Sequence, residues 1–224
     1  MGFLLETVSP AEFSEINQYI TLEGVICPAA AILGNKVKVS QLIDEFLNIM
    51  AEDQRLYLPV ISAGFRPMLA DIRQTAAISS RIVVMIPAVS EGLMCLKACR
   101  TLKIPVILSG VQSMAMAAFG YENHAPAMIM DAAALEETGS ALSSIQAACK
   151  KYEDCTVMAG GFTGLQPVNQ VLMDTEALPV LTAHMAAKIL SASSIPEENR
   201  QIRYAWAETY FRTELCGDEG DLGE

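Results

Sequence analysis

The chain has 224 residues, which is enough for one domain with a sizeable hydrophobic core. It is apolar, with 52% hydrophobic and 18% charged residues, yet no apolar run approaches the ~20 residues that a membrane span needs. A net charge of −11 argues against a nucleic-acid partner and disfavours highly phosphorylated ligands. Because no basic, cleavable leader begins the chain, we expect a cytoplasmic protein with no membrane association.

Cysteines and histidines give no pattern of a metal or redox site. The six cysteines match neither zinc-ligand pairs nor a secreted disulfide framework. Cys95 and Cys99 are four residues apart, and we interpret them as a packed, reduced pair on one helix face. The only histidines are His124 and His184, too few for a clustered metal site. We therefore predict no metal and no other cofactor.

Eight short apolar segments alternate with helical segments along the chain. The predicted strands are Phe3–Leu5, Gly24–Pro28, Leu56–Ile61, Ile82–Ile86, Ile104–Leu108, Ala127–Ala132, Thr156–Ala159 and Leu178–Leu181. Two helices are predicted by their start alone, at Ser9 and at Arg66. Six more are predicted with both ends, at Ser40–Glu52, Ser90–Leu102, Gln112–Phe119, Thr138–Lys151, Pro167–Met173 and Ala183–Leu190. This strict alternation predicts an α/β fold, a compact (β/α)8 TIM barrel.

The C-terminal segment adds an extra helix after the barrel. We place the barrel at residues 1–195 and the helix at 196–215, where Ile202, Trp206 and Tyr210 form an apolar stripe at helical spacing. The stripe is expected to pack on its own barrel or on a neighbouring subunit. Residues 216–224 are acidic and rich in glycine, and we predict a disordered tail.

The stretch Ile82–Leu93 reads IVVMIPAVSEGL, a continuous apolar strand closed by Pro87 and followed by a helix start. It resembles the small transaldolase family, which includes the fructose-6-phosphate aldolases, where IVVK-I/V-P precedes T-x-E-G-L. The resemblance covers nearly the whole chain and implies a TIM barrel of carbohydrate metabolism. It also implies a lysine that acts as the Schiff-base nucleophile. Met85 occupies that position in this chain.

Other catalytic positions implied by the resemblance are also altered. The acid–base Asp after strand one corresponds to Glu6, and the Asn after strand two corresponds to Cys27. Ser109 is the nearest equivalent of the Thr that positions the catalytic water. After strand six, Met130 stands in place of a phosphate-facing Arg, with Asp131 behind it. Glu6, Cys27, Met85, Ser109 and Asp131 are therefore the candidate catalytic positions.

The candidate ligand-binding positions lie after strands seven and eight, and the resemblance implies a phosphate site, a Ser followed by a basic residue, after strand seven. The run Gly160–Gly164 contains neither the family's Ser nor its basic residue. Gly160 and Gly161 expose backbone N–H groups where such barrels bind phosphate, or they simply form a tight turn. Thr163 lies in the same run. His184 either donates to an anion or caps the last barrel helix, and these four residues are the candidate ligand-binding set.

Cys27 is a nucleophile if His184 or Glu6 activates it, and otherwise a small residue that fills the core. A class I aldolase needs a neutral amine to form an imine, and a thioether cannot do so. The seven lysines fall on predicted loops or outer helices. A relocated lysine nucleophile is the remaining route to that chemistry.

Three hypotheses follow. The first is a pseudoenzyme, a transaldolase-like barrel that binds a small polar or sugar-like ligand without aldolase or transaldolase activity. The second is an active lyase or transferase on sugars or sugar phosphates with altered catalytic residues. The third is an ordinary carbon–carbon lyase, which Met85 disfavours. The resemblance also implies a homo-oligomer, a pentamer or decamer, and leaves open a mixed ring with an active relative.

Overall fold

The structure, a computed structural model, describes residues 2–191 and 195–210, with side chains described from 199 to 209 in the second range. The predicted C-terminal helix is present as Ile195–Tyr210. Its predicted continuation to Leu215 and the predicted acidic tail, residues 216–224, lie outside the described residues. The described residues fall into two compact units that divide between Ala187 and Lys188.

Eight strands close into a barrel in sequence order, with every neighbouring pair parallel and β8 returning to β1. The strands are β1 Phe3–Glu6, β2 Leu22–Ile26, β3 Arg55–Pro59, β4 Ile82–Pro87, β5 Val106–Val111, β6 Ala127–Asp131, β7 Thr156–Gly160 and β8 Leu178–Thr182. The predicted (β/α)8 TIM barrel with an extra C-terminal helix is confirmed.

Helices follow each strand. They are α1 Pro10–Ile16, α2 Ala29–Gly34, α3 Val39–Ile49, α4 Phe65–Ala76, α5 Ser90–Leu102, α6 Met114–Glu122, α7 Ala132–Thr138, α8 Ala141–Lys151, α9 Leu165–Asp174, α10 Ala183–Ser191 and α11 Ile195–Tyr210. No helix in the described part of the chain is long and apolar enough to cross a membrane.

Local capping chemistry explains where several helices begin. Ser9 accepts a hydrogen bond from the backbone N–H of Glu12 at 3.3 Å, with Pro10 at the first helical position, as predicted for α1. Asp131 and Ser140 cap α7 and α8, so residues 132–151 form two helices. The sequence predicts only one helix there, and α2 is also missed, because both extra helices are short.

Side chains of the strands separate into an inner and an outer layer. Each strand contributes one fully or nearly fully buried residue to the barrel interior: Leu4, Ile26, Tyr57, Met85, Ile107, Ala127, Met158 and Val180. The outer layer, between strands and helices, includes Leu5 and the edge-to-face pair Phe13 and Phe46, with ring centroids 5.8 Å apart. This division determines which strand residues can reach a site inside the barrel.

The start of α5 approaches the end of β4 very closely. Gly92 lies in the first turn of α5, and a Cβ built on it would lie 2.1 Å from the carbonyl oxygen of Pro87. It would also lie 2.9 Å from Cγ2 of Ile86. Only glycine fits this contact, so Gly92 holds the helix of the S-E-G-L stretch against the strand that carries Met85.

Candidate functional site at the carboxyl end of the barrel

Four polar side chains lie on the inner face at or near the carboxyl ends of their strands, where TIM barrels bind their ligands. Because strand side chains alternate, a residue two positions after an inner residue also faces inward. This rule places Glu6 after Leu4, and Ser109 after Ile107, on the inner face. Asp131 follows inner Ile129, and Thr182 follows inner Val180.

Met85 belongs to the inner layer below this polar ring. It is 5% exposed and pairs in register with Pro59 on one side and Ile107 on the other. All seven lysines of the chain are among the described residues, and each is exposed on a helix or loop. The inner face of the strands therefore offers a thioether where an imine-forming enzyme would need an amine.

Glu6 is the acidic residue at the end of β1, where it pairs in register with Thr182 of β8 and Ile26 of β2. The side chain is partly buried. Burial raises the pKa of the Glu6 carboxyl above its usual range, because desolvation disfavours the charged form. A carboxyl with a raised pKa in a cleft is a candidate proton donor or acceptor.

Thr7, which follows Glu6, forms its side-chain hydrogen bonds with residues at the start of α1. Its hydroxyl donates a hydrogen bond to the Glu12 carboxylate and accepts one from the backbone N–H of Ser9 at 3.0 Å. The side chain is buried and its hydrogen-bonding capacity is used locally. The Glu6–Thr7 pair thus supplies one site residue and one structural residue.

Cys27 lies in the outer layer, packed among residues that face the helices. It is fully buried, and its thiol donates to the backbone oxygen of Thr7 at 3.3 Å. Burial raises the pKa of the Cys27 thiol to about 12, so the thiolate that a nucleophilic mechanism requires is strongly disfavoured near neutral pH. This environment favours the interpretation of Cys27 as a residue that fills the core.

The buried thiol predicts a loss of stability at alkaline pH. The raised folded-state pKa of Cys27 contributes stability that is fully present below the ordinary thiol pKa, near 9, and is lost as the pH rises toward about 12. Urea unfolding at successive pH values should show this fall, and Cys27→Ala should show a smaller one. Equal slopes for the two proteins would contradict the assigned environment of the thiol.

The hydroxyl of Ser109 donates to the backbone oxygen of Ile86 at 3.2 Å, across the β4–β5 pair. Asp131 caps α7 by accepting from the backbone N–H of Ala134 at 3.2 Å. Met130 faces the helices in the outer layer, with no exposed surface. Met130 therefore cannot contact a ligand inside the barrel, although the resemblance aligns it with a phosphate-facing Arg, because alternation turns it away from the interior.

The turn after β7 is covered by a carboxylate. Gly161 has φ +70°, and a Cβ built on it would lie 2.5 Å from Oδ1 of Asp131. Gly160 faces the interior, where its Cβ would lie 3.3 Å from Cβ of Val180. Both glycines therefore have steric reasons to be present. An anionic ligand bound at this turn would meet the negative charge of Asp131, which disfavours phosphate here.

The other two predicted ligand-binding residues lie outside the inner layer. Thr163 is exposed and lines a cavity of about 710 Å³ between α7, α8 and α9. His184 is exposed at the second position of α10. Thr182 accepts from the backbone N–H of Met185 at 3.2 Å, so Thr182 provides the helix cap that was one of the two roles predicted for His184.

Thr182 is the residue of the polar ring that sequence reasoning missed. A Thr directly before a helix is an ordinary N-cap signal, and that signal was present. Among the described residues, no group of three or more His, Cys, Asp or Glu side chains could hold a metal ion. The fold and the polar ring together define a TIM-barrel protein whose candidate site combines two carboxylates, two hydroxyls and one thioether.

Comparisons with known proteins extend the fold assignment. No protein-family model matches the chain. A cube-shaped, highly porous protein cage designed by fusing symmetric oligomeric domains is similar over 94% of this chain and 78% of that chain, with 12% sequence identity and a TM-score of 0.59. The Amycolatopsis orientalis BexX/CysO complex is similar over 97% of this chain and 94% of that chain, with 12% identity and a TM-score of 0.60. At such low identity these similarities concern the fold alone.

Proposed function

We propose that this chain is a divergent, cytoplasmic member of the small transaldolase family that has lost Schiff-base chemistry. It acts as a pseudoenzyme that binds a small, polar or sugar-like ligand at the carboxyl end of the barrel. One observation carries the proposal: Met85 faces the barrel interior at the position of the family's lysine, and all seven lysines are exposed on helices and loops. Without an interior amine, no imine forms with a ketone ligand.

The charge of the ring supports an uncharged or cationic ligand over a sugar phosphate. Glu6 and Asp131 are both acidic, and Arg55 at the start of β3, far along the strand from the carboxyl end, is the one basic residue among the described strands. A phosphate group needs cationic or backbone N–H partners. The hydroxyls of Ser109 and Thr182 instead suit the hydroxyl groups of a polyol.

Borohydride trapping tests the loss of imine chemistry. The purified protein is incubated with dihydroxyacetone or fructose 6-phosphate, reduced with borohydride, and measured by intact mass. We expect an unmodified mass, because borohydride fixes only an imine and the barrel interior has no amine. A stable adduct, mapped by peptide mass to one lysine, would show that another lysine has replaced the family nucleophile and would overturn the proposal.

A second candidate function is an active lyase or transferase with altered catalytic residues, and the raised pKa of Glu6 favours it. A partly buried carboxyl of this kind can move a proton to or from a bound hydroxyketone. Proton NMR in D2O would then detect deuterium entering the carbon-bound positions of dihydroxyacetone. Glu6→Gln should abolish the exchange, whereas Glu12→Gln, on α1, should not. No exchange above the rate without protein would exclude this function for that ketone.

We also propose that the chain forms a homo-oligomer, a pentamer or decamer by the family resemblance. Helix α11 supports this proposal because Ile202 is 60% exposed and Tyr204 is 67% exposed within the single chain. Large exposed apolar side chains often mark contact surfaces. Light scattering coupled to gel filtration should give a mass several times that of one chain, and Ile202→Glu should lower it. A monomeric mass at micromolar concentration would refute the assembly.

A further inference from the structure

A second cavity lies at the opposite end of the barrel from the polar ring. Its volume is about 590 Å³, and it is lined where β5 and β6 begin, by Val106 and Pro126. The apolar wall of the cavity also includes Leu96, Ile104 and Ala125, and the Tyr121 side chain lines it as well. Tyr121 is held by stacking on Tyr152, with ring centroids 4.6 Å apart. This cavity has no part in the proposed function.

Basic side chains surround the apolar wall. Lys97 and Arg100 are neighbours on the surface of α5 near its end, and Lys103 is the residue directly after the helix. His124 approaches from the turn after α6. Arg100 and His124 also line an adjoining cavity of about 540 Å³ that Lys97 borders. The two cavities thus meet at Arg100, Glu122 and His124, with Lys97 on one side and Lys103 on the other.

Backbone hydrogen bonds fix this arrangement. Lys103 and His124 both have left-handed backbones, with φ +54° and +60°. The N–H of Lys103 donates to the oxygen of Arg100 at 3.2 Å, and that of Ile104 donates to Cys99 at 3.0 Å. The N–H of His124 donates to the oxygen of Tyr121 at 2.8 Å. Carbonyls at both helix ends therefore have partners within the chain, which leaves the side chains to define the charge of the cavity.

The basic groups are not held in ion pairs within the described part of the chain. Glu122 and Asp154 also line this cavity, where they balance the charges of Arg100 and Lys103. Lys97 and Glu122 line the adjoining cavity, so over the two cavities together three cations face two carboxylates, an excess of one positive charge. In a chain of net charge −11, this excess is a local reversal of the overall charge.

We propose that this cavity binds an organic anion with an apolar, preferably aromatic, part and one phosphate or carboxylate group. The apolar part lies against Leu96, Ile104 and Pro126, and the anionic group lies between Arg100 and His124. Lys97 and Lys103 add attraction from either side. Since the cavity is at the amino end of the strands, binding there is independent of a ligand at the carboxyl end.

Phenyl phosphate is the probe, titrated into the full-length protein by isothermal calorimetry. We expect saturable binding that becomes weaker in high salt, and an affinity about tenfold lower for Arg100→Gln/Lys103→Gln, which removes two charges from the site. The control variant is Lys36→Gln/Lys38→Gln. It removes the same charge from exposed residues. Like Lys103, Lys36 has a left-handed backbone, with φ +53°, so the two double variants are also matched in backbone conformation. The control should bind as the unchanged protein does.

Hydrogen-exchange mass spectrometry locates the bound probe. Protection should appear in peptides covering 96–104 and 121–126. Inorganic phosphate and benzyl alcohol, which each carry half of the probe's chemistry, should bind more weakly than phenyl phosphate. Three results would overturn the proposal: no saturable binding of phenyl phosphate, an equal loss of affinity in both double variants, or protection only around Glu6 and Asp131. Inorganic phosphate binding as tightly as the probe would overturn the role of the apolar wall.

Discussion

Replacement of Met85 by lysine is expected to create imine chemistry in this barrel. The new amine would lie on the inner face of β4, where Met85 is 5% exposed. Burial lowers the pKa of a lysine, often by several units, so a reactive neutral amine would be present near neutral pH. Incubation of Met85→Lys with dihydroxyacetone and borohydride should then give an adduct of one reduced ketone per chain, measured by intact mass and mapped to residue 85.

The control for this experiment is Met85→Leu, which preserves side-chain volume and should give no adduct. Burying a polar group without a hydrogen-bond partner costs about 2–7 kcal/mol, so circular dichroism must first show that Met85→Lys is folded. A folded variant that traps dihydroxyacetone would show that the cleft still admits small ketones. A folded variant that traps nothing would mean that the interior is closed to them, and the proposed sugar-like ligand would be refuted.

Gly92→Ala is expected to destabilise the fold strongly. The added Cβ would lie 2.1 Å from the backbone oxygen of Pro87, and backbone atoms cannot move aside as a flexible side chain can. Relief requires α5 to shift away from β4, which breaks packing along both elements. We expect a loss of about 3 kcal/mol or more in the free energy of unfolding, measured by urea denaturation.

Gly34→Ala is the matched control, because Gly34 is also helical and a Cβ there would meet nothing within 4 Å. This change should be neutral or should stabilise by about 0.5–1 kcal/mol, since alanine restricts the unfolded chain. If Gly92→Ala lowered the free energy of unfolding no more than Gly34→Ala does, the close contact between α5 and β4 would not constrain the fold. The two results together would assign the glycine of the S-E-G-L stretch to packing.

The stretch Ile82–Leu93 contains one position that matters for chemistry, residue 85, and one that matters for packing, residue 92. Met85 stands where the proposed family membership implies the reactive lysine. Gly92 holds α5 against β4.

The sequence by itself determined the architecture. Short continuous apolar runs predict buried strands, and longer segments with apolar residues at a period of 3.6 predict amphipathic helices. Both signals can be read within a single segment. Eight alternations of strand and helix predict the closed parallel barrel that the structure has. Capping signals are equally local: Ser9, Pro10 and Glu12 predict the start of α1, and the structure confirms it.

The tertiary structure alone decided which strand residues face the interior. Adjacent residues such as Ile26 and Cys27, or Met130 and Asp131, point to opposite faces of the sheet. In a strand that is buried on both sides, both faces are apolar, so the sequence does not show which residues face the interior. Register shifts also occur in the β1–β2 and β5–β6 pairs. Such shifts depend on how the barrel closes. Contacts between distant segments, such as Asp131 over Gly161, arise only after closure.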